Sequence, residues 1–139
     1  MAERVAQKLA PQYGLGDVVF TSAATSSEEL GQPIDPRARR VLERAGYRAA
    51  GHRAHRIGLA ELEGAELVLG MEPLHLDLLR RRAPLAHHLA LLSDFDPDHP
   101  GAPIEDPWYG PEEGFVTTLR AIEAALPGLL RHLGGVGPA

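Results

Sequence analysis

Between residues 1 and 9 the apolar side chains Ala2, Val5, Ala6 and Leu9 are spaced i, i+3, i+4 and i+7, the stripe of a half-buried helix, and Pro11 and Gly14 stop it. The period then changes. Within 17–24, Val18, Val19 and Phe20 form a continuous apolar run, which predicts a short strand covered on both faces. Residues 31–36 read as loop. Asp35 predicts an N-cap with Pro36 at the first helical position, Val41 and Leu42 supply a buried stripe, and Gly46 ends the helix in a left-handed turn. Glu66-Leu67-Val68-Leu69-Gly70-Met71 predicts a second buried strand, followed by a helix that starts at Pro73, carries Leu74, Leu78 and Leu79, and closes before Pro84. Leu89-Ala90-Leu91-Leu92 gives a third strand. The stretch 94–107 is dense in proline and acidic residues and predicts a long irregular loop, a kind of segment that often carries function. Pro111, Glu112 and Glu113 open a last helix whose Phe115, Leu119, Ile122, Leu126 and Leu129 repeat at three and four, with Pro127-Gly128 expected to kink or break its final turns.

Strands alternating with helices predict an α/β domain, a three-layer arrangement in which a parallel sheet has helices on both faces. A length of 139 residues with 44% hydrophobic composition is enough for one core, expected over 1–133 with a flexible tail at 134–139. The net charge of −5 opposes nucleic acid or an anionic membrane as partner. The first fifteen residues mix acids and bases instead of forming an apolar core, and no apolar run approaches a membrane span, so the expected location is cytoplasmic. Thirteen of the fourteen basic residues are Arg, Lys8 being the lysine; the bias carries no functional reading. Cysteine is absent, which removes disulfides, thiolate metal sites and a cysteine nucleophile from these residues.

Several short segments stand out against this background. In Glu105-Asp106-Pro107-Trp108-Tyr109-Gly110 an Asp-Pro turn opener precedes two aromatic residues. Thr21-Ser22-Ala23-Ala24 puts a hydroxyl at the end of the first predicted strand, where Ser often satisfies nearby backbone. Gly31-Gln32-Pro33-Ile34-Asp35-Pro36-Arg37-Ala38 is accounted for by helix capping. His52-Arg53-Ala54-His55 offers two imidazoles, yet no further ligand has zinc-site spacing, and no metal or other cofactor is expected. Arg80-Arg81-Arg82 complements a helix C-terminus.

Taken in order, these segments resemble the low-molecular-weight protein tyrosine phosphatases, and the resemblance covers nearly the whole chain. Met1-Ala2-Glu3-Arg4-Val5-Ala6 is similar to the start of that family's first helix, just after its phosphate loop of Cys, five residues and Arg. The family's first strand and that loop have no counterpart here. Because the family's sheet runs 2-1-3-4, the strand that is missing is the central one; its absence leaves a gap of about 10 Å with unpaired backbone on both sides. The expectation is therefore an N-terminally truncated domain whose natural start lies upstream.

The resemblance implies roles for several residues. Asp106 matches the general acid that protonates the leaving tyrosine and later activates water; Trp108, replacing the usual Tyr, and Tyr109 match the walls of the substrate-ring slot. Ser22 and His52 match groups that support the phosphate loop through hydrogen bonds, with Thr21 and His55 departing from the family's Asp and Arg. Glu72 and His75 depart similarly in Met71-Glu72-Pro73-Leu74-His75-Leu76, where a helix start is the simpler account. The implied activity is hydrolysis of phosphotyrosine protein or a small aryl phosphate through a phosphocysteine, without a metal. A chain lacking the thiolate and the phosphate loop is expected to be inactive. Two rival readings are a cysteine-free pseudophosphatase serving as a binding or regulatory module, and an arsenate reductase, against which the lack of any downstream cysteine argues.

Overall fold

The computed structural model describes residues 1–25, 31–107 and 110–137. Helix α1, Ala2–Leu9, buries Val5 and Ala6 and passes into a 3-10 turn, Ala10–Tyr13, that Gly14 ends with φ of 75°. Helix α2, Pro36–Arg44, starts as its sequence predicts, with the Asp35 carboxylate accepting from the Arg37 backbone N–H at 2.8 Å, and Gly46 takes the left-handed conformation beyond its end. A short helix α3, Leu59–Gly64, precedes strand β1, Val68–Gly70. Helix α4, Pro73–Arg82, strand β2, Leu89–Leu91, a 3-10 turn, Leu92–Phe95, and helix α5, Glu112–His132, complete the order.

β1 and β2 pair in parallel, Val68 opposite Leu89 and Gly70 opposite Leu91. Alternation along β1 sorts the core into two layers. Leu67, Leu69 and Met71 pack on a large cluster built from α1, α2 and α5, with Val5, Leu42, Ile122, Leu126 and Leu130 at its centre. Val68 and Leu89 pack on a smaller one around Leu62, Leu79 and Ala83, under α3 and α4. Helices therefore cover both faces, as the sequence predicts.

Three local expectations are corrected, and one short helix is added. The first is the strand over 17–24, which does not join the sheet. Ala24 makes one isolated parallel bridge with Arg56, and Val19, expected to be covered, is 83% exposed. An extended segment becomes a strand only by exchanging backbone hydrogen bonds, and 18–22 finds no ladder partner among the described residues. Correspondingly, β1 has an open side. The Val68 N–H donates to the His88 carbonyl at 2.9 Å, so Val68 and Gly70 turn toward β2 while Leu67 and Leu69 present backbone groups to an edge with no described strand beside it.

The other corrections concern helices. On α4, Leu79 is buried as the sequence predicts and packs with Ala83 in the smaller cluster, whereas Leu74 is exposed and Leu76 is buried in its place. α3 was not anticipated; six residues are too few to show a period. α5 runs unbroken through Pro127-Gly128, since the large core holds the helix on both sides of the proline at Ile122, Leu126, Leu129 and Leu130. In the segment expected as tail, the Gly135 N–H donates to Leu130 and the Val136 N–H to Tyr13, at 2.8 and 3.0 Å.

Candidate functional site

The first turn of α1 gathers two of the residues singled out from sequence. Ser22 Oγ donates to Glu3 Oε2, and His52 Nδ1 lies 3.6 Å from the same oxygen. Gln7 Nε2 reaches both Glu3 Oε1, at 3.2 Å, and the Phe20 carbonyl, at 3.3 Å, while an Arg4 guanidinium N–H donates to the Ala50 carbonyl at 2.9 Å. The start of α1 is thereby tied to the 20–22 and 50–52 segments. Glu3 is the hub, a role the sequence reading does not assign, since it places Glu3 only within the family-like segment 1–6. Its signal was available: an acid in a helix's first turn, next to a motif serine and a motif histidine, suits the helix dipole.

Burial sets the electrostatics here. It pushes the Met1 ammonium down, with Glu3 and Asp106 opposing through their negative charge and Arg4 reinforcing the shift. Burial also holds the His52 imidazolium below the ordinary histidine range, against the pull of Glu3. Asp106 thus lies within electrostatic reach of the Met1 ammonium. His55 turns elsewhere, to Glu61 at 2.9 Å, where its contact and the Gly58 N–H hold the Glu61 carboxyl below the usual range. Among the described residues no group of three or more His, Asp or Glu is arranged to hold a metal ion.

Asp106 is exposed on the irregular segment that follows β2 and lines a cleft of about 480 Å3 with Glu105, Pro107, Gly110, Thr117 and Thr118. Neither Ser22 nor His52 lines that cleft. Trp108 and Tyr109, expected as walls of the ring slot, lie outside the described residues. The segment is clasped from several elements. The Ile104 N–H donates to the Met71 carbonyl at 2.8 Å, at the end of β1, and Thr118 Oγ1 on α5 donates to the Glu105 carbonyl at 3.1 Å. Beyond Asp106, an Arg37 guanidinium N–H donates to the Gly110 carbonyl at 2.8 Å.

Arg37 is the second residue whose role the sequence concealed. Its guanidinium also pairs with Asp35, at 3.0 Å, and stands 4.7 Å over the Phe115 ring. The hydrogen bond to Asp35 raises the Arg37 pKa, with Asp35, Asp106 and Glu112 adding negative potential, and in return the Asp35 carboxyl is held low. The Asp35-Pro36-Arg37 cap therefore doubles as an anchor for the loop that carries Asp106. Arg37→Ala is expected to speed hydrogen exchange at the Gly110 amide several-fold while leaving Ile104, clasped at the opposite end, unchanged. Arg37→Lys should not restore protection, because a single ammonium cannot grip Asp35, Gly110 and a ring face together. Unaltered exchange at Gly110 in both variants would remove Arg37 from this role.

The pattern of the family described as low molecular weight phosphotyrosine protein phosphatase matches residues 1–136. The chain belongs to that family. Low molecular weight protein-tyrosine phosphatase A of Mycobacterium tuberculosis is 38% identical over 133 residues, which are 93% of this chain and 80% of that protein. Among solved structures, a protein tyrosine phosphatase from Entamoeba histolytica with Hepes in the active site superposes with a TM-score of 0.89 at 25% identity, covering 96% of this chain and 86% of that one. Vibrio vulnificus Wzb in complex with benzylphosphonate gives 0.83 at 26% identity, covering 94% and 87%. The low molecular weight phosphatase fold is thus retained around a sheet of two short strands among the described residues.

Proposed function

We propose that this chain carries the proton-transfer and substrate-ring half of an aryl phosphate monoesterase site, acting on phosphotyrosine in a protein or on a small aryl phosphate. The observation that supports the reading is that Asp106, on a loop clasped from β1's end, α5 and α2, lies within electrostatic reach of the α1 N-terminus. Cleavage of an aryl ester expels a phenolate whose conjugate acid has a pKa of about 10, so the step needs a carboxylic acid near the bridging oxygen. In the family's two-step chemistry a thiolate bonds to phosphorus as the P–O bond breaks and the acid, Asp106 here, gives its proton to that oxygen; as carboxylate it then takes a proton from the water that displaces the thiolate from phosphorus. The N-terminal N–H groups of α1 and its dipole favour the phosphate dianion. Ser22 and His52 steady the first turn of α1 through Glu3. Trp108 and Tyr109 flank the ring by resemblance to the family's motif.

The covalent step of the family's chemistry needs a thiolate, and none of the 139 residues is cysteine. Protein of this sequence is therefore expected to give no turnover of p-nitrophenyl phosphate above buffer. Sustained turnover by purified material, abolished in Asp106→Ala, would overturn that expectation. The lack of cysteine favours a second reading, a family member that binds without hydrolysing. That reading requires a single cooperative melt, and an aggregating product without one would count against it.

A further inference from the structure

A second cavity, of about 380 Å3, lies between the segment after β2 and the outer side of α5, and none of the motif residues lines it. Two of its polar groups are withdrawn from solvent: Ser93 is 3% exposed and Asp96 is 5% exposed. Ser93 Oγ is buried with no hydrogen-bond partner among the described residues, an arrangement that costs free energy unless something else supplies the bond. The Asp96 carboxylate spends Oδ1 on the Asp98 backbone N–H, at 2.9 Å, while its Oδ2 has only His99 Nδ1 nearby, at 3.5 Å, too long for a good hydrogen bond. The same cavity is lined by Arg120 of α5, exposed and without a partner among the described residues, and by apolar Ala102 and Ala124.

These groups specify a ligand by what each lacks. A carboxylate only accepts, so Asp96 calls for a cationic donor; a guanidinium only donates, so Arg120 calls for an anionic acceptor; the hydroxyl of Ser93 takes either. A cavity of this size, largely apolar between the charges, has room for one small molecule bearing both signs and an apolar group. We propose that it is a binding site for a free α-amino acid, with the ammonium on Asp96 and Ser93, the carboxylate on Arg120, and the side chain against the alanines.

Ile104 and Ala121 line this cavity and also the Asp106 cleft, so occupancy of the first stiffens a wall of the second. The inference rests on the cavity and not on hydrolysis, and its test needs no catalysis. The whole chain is titrated with L-phenylalanine by calorimetry and by amide chemical shifts, alongside phenethylamine, which lacks the carboxylate, and 3-phenylpropionate, which lacks the ammonium. Saturable binding near ~1 mM is expected for a ligand of this size. Shifts should centre on Ala102, Ala121 and Ala124. Each analogue should bind about tenfold more weakly or worse, the loss of one charged hydrogen bond. Ser93→Ala deletes a hydroxyl that bonds nothing among the described residues, so it should keep the Tm and weaken L-phenylalanine binding several-fold; Arg120→Gln should do the same from the surface. No saturable binding of L-phenylalanine, equal binding of phenethylamine, or binding indifferent to both substitutions would overturn the proposal.

Discussion

Gly128→Ala is expected to destabilise the domain by about 2 kcal/mol, reversing the usual effect of that exchange in a helix. In a helix interior Ala is ordinarily favoured over Gly by about 1 kcal/mol, because it loses less backbone entropy. Here α5 lies so close to the preceding 3-10 turn that a Cβ at 128 would press well inside contact distance of the Phe95 carbonyl oxygen, with the Phe95 carbonyl carbon at 3.2 Å and its Cβ at 3.4 Å. The obstacle is backbone, which cannot swing aside like a flexible side chain. The same turn is held by the Phe95 ring against His132, 5.0 Å between centroids, so relief by moving the turn disturbs a second contact. Gly64, the last residue of α3, has nothing within 4 Å of its Cβ position and serves as the control. Urea melts should show Gly64→Ala neutral or slightly stabilising and Gly128→Ala clearly destabilising; stabilisation by Gly128→Ala would mean that α5 and the turn are not in this close contact.

Leu126→Ala should cost more, about 3 kcal/mol and within the 2–5 kcal/mol typical of buried Leu truncations. Leu126 is 1% exposed and belongs to the large cluster, in which α5 supplies Phe115, Leu119, Ile122, Leu129 and Leu130 and meets α1 and α2 through Val5, Val41 and Leu42. With α1, α2, α5 and the side chains of Leu67, Leu69 and Met71 around that cluster, the void left by three heavy atoms has little freedom to collapse. Domains of this size hold only about 5–15 kcal/mol in total, so the loss takes a large share. Leu85→Ala, at a position 94% exposed, is the matched comparison and should leave the urea midpoint within error. Equal midpoints for both variants would show that α5 does not supply the main core.

Much of this core was legible because its signals are local. The Asp35-Pro36 cap, the stripe on α1, the three-and-four repeat of α5 and the apolar runs of β1 and β2 each arise from residues a few positions apart. What was not legible depends on partners distant in sequence. Val18-Val19-Phe20 has strand composition, yet composition cannot provide the neighbouring backbone that a ladder needs. Pro127 carries a rule for breaking helices, and packing at Leu126 and Leu129 outweighs it. In the site, Ser22 and His52 were given roles by motif, whereas Glu3, which joins them across nineteen and forty-nine positions, stood in the helix-start segment with no role attached. Arg37 was read as part of a cap because its bond to Gly110 spans 73 positions.

The clasps on the Asp106 loop come from Met71, Thr118 and Arg37, which lie on β1's end, α5 and α2. None of them belongs to α1 or to the Glu3 cluster. The position of Asp106 is accordingly set by a scaffold other than α1. The fold is modular in that sense: the Asp106 loop is held in place whether or not the Glu3 group is assembled.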